Sequence, residues 1–160
     1  MKYAIGIDIG GTSIKYSLVG EDGSILKKEA IRIDKKITGE ETISRLGKAV
    51  KAYIASLGVK VEGIGVGCPG AINSTTGICE FSPNLNWKDL PIVVMLENIT
   101  GLPVKIANDA NVAAIGECAF GSAKGYNNVV LLTLGTGVGG GLVLDGSLFE
   151  GKDGKGAELG

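Results

Sequence analysis

Two acidic residues sit where apolar runs give way to turns. Asp8 closes the run Tyr3–Asp8 just before Gly10-Gly11-Thr12, and Asp109 follows Asn108 directly after Val104–Ala107. A second glycine turn, Gly135-Thr136-Gly137, follows the apolar run Val129–Thr133. Tight glycine turns present bare backbone N–H groups, and only glycine lets an anion approach them closely. Two such turns facing each other would cradle a polyphosphate, with Lys15 adding positive charge and Thr12 and Thr136 adding hydroxyls. A carboxylate beside that cradle, as Asp8 would be, is sensible with a cation or a water in between. Asp8 reads equally as a solvated strand end. Asp109 could accept the proton of an attacking hydroxyl in phosphoryl transfer, or it could cap the helix that follows it. Glu158, flanked by glycines, could clamp sugar hydroxyls or stand in solvent. Cys68-Pro69-Gly70 closes another apolar run and could bring backbone to the same ligand, with Asn84 and Trp87 on the loop beyond; a lone Trp is more often core.

Composition narrows the chemistry. The chain has 160 residues with 16 Lys and Arg against 17 Asp and Glu, a net charge of −1. There is no basic excess to neutralise a phosphate backbone, so nucleic acid is not an expected partner. Histidine is absent, which excludes Ser-His-Asp triads, His-x-Glu deaminases and HExxH zinc sites within this stretch. The three cysteines, Cys68, Cys79 and Cys118, form no CxxC pair, so neither a zinc knuckle nor a disulfide framework is expected and a reducing cytoplasm is. No apolar run reaches the ~18 residues of a membrane span, and Asp8 breaks the short N-terminal run too early for a signal peptide. Glycine is the outlier, with 27 of 160 residues against an average of about 7%. Gly135-x-Gly137-x-x-Gly140 imitates a dinucleotide fingerprint, but that fingerprint needs a helix next. A strand ending in Asp145-Gly146 follows instead.

The elements that must position these residues read as follows. Tyr3–Asp8, Ile14–Val19 and Ile25–Ile33 are strands, the last two joined at an Asp22-Gly23 hairpin turn. Thr38-x-x-Glu41 opens a helix whose face is Ile43, Leu46, Val50, Tyr53, Ile54 and Leu57, ended by Gly58. Gly63–Cys68 is a buried strand and Ala71–Glu80 a small ribbon turning at Thr76-Gly77. Asp89 is expected to cap a second helix with Pro91 in its first turn. Val104–Ala107 is a strand and Ala110–Phe120 a helix. Three hairpin-linked strands followed by alternating helix and strand imply an α/β fold, a mixed sheet of three antiparallel then parallel strands covered by helices. This is the pattern of a ribonuclease H-like, actin-like domain. After the linker Gly121–Gly125 the order strand, glycine turn, strand, Asp-Gly, strand recurs, so residues 5–26 and 132–149 read as an internal duplication. Residues 1–120 are then one lobe and 121–160 the opening hairpin of a second, truncated lobe.

The segments IGIDIGGTSIK (5–15), GVGCPGAIN (65–73), SPNLNW (82–87), NDANVAAIGE (108–117) and TLGTGVGGGLVLDG (133–146) together resemble the ROK family of sugar kinases and repressors, and its bacterial glucokinases most. The resemblance runs the length of the chain, in order. It implies ATP- and Mg²⁺-dependent phosphorylation of a hexose, glucose first, in the cytoplasm, by a homo-oligomer such as a dimer. It assigns Asp109 as catalytic base and Gly70, Asn108 and Glu158 to the sugar, with Asn84 a weaker candidate. Gly10, Gly11, Thr12 and Lys15 become the first phosphate loop, Gly135, Thr136 and Gly137 the second, and Asp8 a neighbour of Mg²⁺. Family members continue beyond Glu158-Leu159-Gly160 with a sugar-binding histidine and a structural Zn²⁺ site, so zinc is expected only in a longer parent. The alternative is a non-catalytic sugar-binding or repressor-type module.

Overall fold

The computed structural model describes residues 1–135, 137–151 and 156. Strands β1 (Tyr3–Ile9), β2 (Ser13–Gly20) and β3 (Ile25–Arg32) form an antiparallel meander. Strand β4 (Val61–Cys68) then lies parallel to β1, after helix α1 (Gly39–Ala55). A second sheet follows, made of β5 (Ala71–Asn73), β6 (Ile78–Ser82) and β7 (Trp87–Leu90). Helix α2 (Ile92–Thr100) leads to β8 (Val104–Asn108), parallel to β4, and helix α3 (Asp109–Phe120) leaves it. Last come β9 (Val129–Leu134), β10 (Val138–Leu144) and β11 (Ser147–Leu148), antiparallel neighbours in a sheet of their own. The main sheet runs β3-β2-β1-β4-β8, the mixed arrangement expected from the sequence.

Alternation along β1 and β2 decides which face is core. Ile5, Ile7, Ile9, Ile14, Tyr16 and Leu18 are buried, and they meet Ile43, Leu46, Val50 and Tyr53 of α1. Tyr53 also closes an irregularity in the meander, where its hydroxyl accepts from Leu18 N–H at 3.1 Å and donates to the Lys27 carbonyl. Asp8, Lys15 and Ser17 point to the opposite face, where α3 lies beside a broad hollow of about 1170 Å³.

Helix α1 begins as expected, with Thr38 Oγ1 accepting from Glu41 N–H at 3.1 Å. The reciprocal half of the capping box does not form, because the Glu41 carboxylate pairs with Arg45 at 2.6 Å. The helix stops at Ala55, before Gly58, which takes a left-handed φ of 66° in the turn that follows. The expectation for Asp89 fails. It lies in β7 with a φ of 50°, and α2 starts after Pro91 with no side-chain cap. Burial of Trp87 and Leu90 draws this segment into a strand against β6 instead.

Candidate active site

In open sheets of parallel strands, ligands gather outside the carboxyl ends. Here β1, β4 and β8 are the parallel set, and their carboxyl ends bring three turns to one edge. Gly10-Gly11-Thr12 leaves β1, Pro69-Gly70 leaves β4, and Asn108-Asp109 leaves β8. Their register is continuous, since Asp8 pairs with Gly67, Gly67 with Ala107, and Cys68 with Asn108. A Cβ built on Gly67 would lie 3.7 Å from Asp109 Cα. The first turn of α3 thus rests on the strand beside Asp8.

Asn108 ties the two later turns together. Its Oδ1 accepts from Ala110 N–H at 2.9 Å, capping α3, and its Nδ2 donates to the Gly70 carbonyl at 3.0 Å. The cap anticipated for Asp109 is therefore supplied by Asn108. Asp109 is the first helical residue, exposed, with Oδ1 also accepting from Ala110 N–H at 2.9 Å. Replacing Asn108 by Ala removes the cap and frees the Gly70 loop. We expect a loss of about 1–3 kcal/mol, read as a lower urea midpoint.

Gly70, Asn108, Asp109, Asn111, Gly139 and Gly140 share a cleft of about 170 Å³. The last two come from β10, which packs directly on α3. A Cβ on Gly141 would stand 2.7 Å from the Ala114 Cβ, so that glycine exists for packing. Because a strand and not a helix follows Gly135-x-Gly137-x-x-Gly140, the dinucleotide reading fails as expected. Gly135 and Gly137 have open space where a side chain would project, and Gly135 N–H donates to the Gly137 carbonyl at 2.9 Å. In the first turn, Gly10 N–H donates to the Ser13 carbonyl at 3.0 Å, and a Cβ on Gly10 would come within 2.9 Å of that oxygen. Gly11 meets nothing within 4 Å and is the open side of the turn.

Asp8 and Lys15 face each other in the register of β1 and β2, both exposed, and line the broad hollow on the open sheet face. Asn84 does not join the cleft. It lines a separate hollow of about 580 Å³ beside Lys35, Thr38 and Trp87. Thr136 and Glu158 lie outside the described residues. Asn111 was given no role from sequence. Its signal was its place three residues after Asn108, the spacing that shares a helical face.

Among the described residues no three of His, Cys, Asp and Glu gather as a metal site. Cys68 and Cys79 are buried against each other. The bond that Cys68 donates to Cys79 pushes its thiol well up, and burial and the nearby Asp109 charge act the same way. In the native protein we expect a thiol-reactive dye to label Cys118 only, since Cys68 and Cys79 are both 0% exposed. Labelling of all three should require denaturant.

The family model for ROK proteins matches residues 4–160. The chain belongs to the ROK family. A glucokinase of Thermotoga maritima is 43% identical over 157 residues, 98% of this chain and 49% of that protein. The crystal structure of a ROK glucokinase from Streptomyces griseus, in complex with glucose and AMPPNP, is 38% identical with a TM-score of 0.86, over 99% of this chain and 49% of that one. A xylose repressor of Bacillus spizizenii is 32% identical over 99% of this chain and 41% of its own length. The chain spans about half the length of the curated ROK glucokinases it matches. The fold is the actin-like, ribonuclease H-like fold of ROK sugar kinases.

Proposed function

We propose that this protein phosphorylates a hexose, glucose first, with MgATP. The observation that carries the reading is the Asn108-Asp109 pair, held at the carboxyl edge of the parallel strands and opening into the cleft beside Gly70. Likeness to glucokinases supports it. Asp109 takes the proton of the sugar hydroxyl as that oxygen bonds to the γ-phosphorus and the bridging oxygen leaves with ADP. Asn108 fixes the Gly70 loop against the sugar. The turns at Gly10-Gly11-Thr12 and Gly135-Thr136-Gly137 offer N–H groups to the phosphates, with Lys15 nearby. Glu158 is assigned to the sugar. Magnesium enters with the nucleotide as substrate, and Asp8 faces it through water; a lone exposed carboxylate suits that indirect role.

Residues 1–120 form one lobe in this reading, and 121–160 begin a second. Strand β9 leaves Val130, Leu132 and Leu134 exposed, as the first strand of a larger sheet would. The test is a coupled ADP-release assay over a hexose panel with MgATP, paired with sugar binding. Turnover of glucose before other hexoses is the expected result. Binding without turnover would favour the repressor-type reading, for which similarity to xylose repressors is the support. Neither binding nor turnover would reject both.

A further inference from the structure

Asn111 is a buried polar side chain whose carboxamide oxygen is left unpaired among the described residues. It is the third residue of α3 and 2% exposed. An unpaired buried acceptor is costly, and an apolar side chain of similar shape would avoid the cost. The same helix takes the apolar solution at Ala110 and Ala114, which are 3% and 0% exposed. Asn111 nevertheless lines the 170 Å³ cleft with Asp109 and Gly70.

The other polar groups of the cleft show what is left for a ligand. Asn108 is committed at both ends of its amide, to Ala110 N–H and to the Gly70 carbonyl. Asp109 has given one oxygen to Ala110 N–H. Among these residues the oxygens without a donor are the second Asp109 oxygen and the buried Asn111 Oδ1. Both need donors. A phosphate or carboxylate brings acceptors only and would meet the Asp109 charge, whereas a polyol brings a hydroxyl to each. The cleft has room for roughly six waters at ~30 Å³ apiece, the scale of one sugar ring.

We propose that Asn111 is a sugar-positioning residue. Its carboxamide oxygen accepts the proton of one hydroxyl of the bound hexose, a different hydroxyl from the one that gives its proton to Asp109. This rests on the hexose-kinase reading of the cleft and adds a specificity contact to it. The orphaned acceptor in the free protein is the cost of having that contact ready when sugar arrives.

The test is calorimetric binding of glucose and its singly deoxygenated analogues to the full 160-residue chain and to Asn111→Leu and Asn111→Ala. Leu keeps the branched outline of the side chain with bulkier ends; Ala guards against a steric artefact of Leu. Both variants should weaken glucose binding about 10- to 100-fold. One deoxy analogue, missing the hydroxyl that Asn111 holds, should lose affinity against the unmodified chain and lose nothing further in the variants. The Leu variant should unfold at the same temperature or higher, because an unpaired buried acceptor has gone. A merely structural role would instead lower the unfolding temperature and weaken every analogue by a common factor. That result, or unchanged glucose binding in both variants, would overturn the assignment of Asn111 alone. Failure of the unmodified chain to bind any hexose would overturn it together with the reading on which it rests.

Discussion

Replacing Asp109 by Asn should lower hexose phosphorylation by about 100- to 10,000-fold, the range of a general base, while leaving hexose affinity within a few-fold. The geometry explains why the two effects separate. One Asp109 oxygen accepts from Ala110 N–H at 2.9 Å, and the Asn carboxamide offers the same acceptor. Asn108 continues to cap α3 through its own Oδ1, so the helix and the cleft survive the change. What is lost is the oxygen that can take a proton. A coupled assay with MgATP reads kcat, and calorimetry with the sugar alone reads affinity. Equal loss in both would make Asp109 a binding residue and remove it from the chemistry.

Replacing Gly70 by Ala should be more damaging to binding than its one added methyl suggests. Gly70 has a φ of 106°, where L side chains are strained, and an added Cβ would drive into the Phe81 carbonyl and stand 2.9 Å from Ser82 Cα. Both obstacles are backbone in β6, so no rotamer change relieves them. The loop must move, and its carbonyl then leaves Asn108 Nδ2. A strained backbone of this kind costs about 1–3 kcal/mol, and a displaced cleft wall adds to it. We expect a lower unfolding temperature and at least tenfold weaker hexose binding, with the deficit concentrated in KM. A Gly70→Ala protein with wild-type stability and affinity would show that the loop does not form the wall of the site.

Much of this fold was legible in the residues. The β1–β2–β3 meander, the α1 face from Ile43 to Tyr53 and the strand before Asn108 follow from period and turn chemistry. So does the placing of Asn108-Asp109 at a strand end. The failures have local causes. Asp89 before Pro91 looks like a helix start, yet the apolar side chains of Trp87 and Leu90 are better buried as a strand on β6. Thr38 and Glu41 look like a reciprocal box, yet Arg45 one turn on is the better partner for the carboxylate. The site was harder to read than the fold. Asn84 sits close to Trp87 in sequence, but β7 carries that loop to a different hollow from Asp109. Asn111 was hidden because its significance is a missing partner, and only three dimensions show that. Gly139 and Gly141 carried no assignment in the sequence, and the packing of Ala110 and Ala114 against them shows a helix–strand contact.

The central claim is that sugar binds where β4 and β8 end, against the first turn of α3. Amide chemical-shift mapping of the nitrogen-15-labelled chain during a glucose titration tests it most directly. The account predicts saturable shifts at Gly70, Asn108, Asp109, Asn111, Gly139 and Gly140, with Lys28 and Lys105 on the open sheet face unmoved. Saturable shifts confined to that open face, or to the hollow around Asn84, would contradict it.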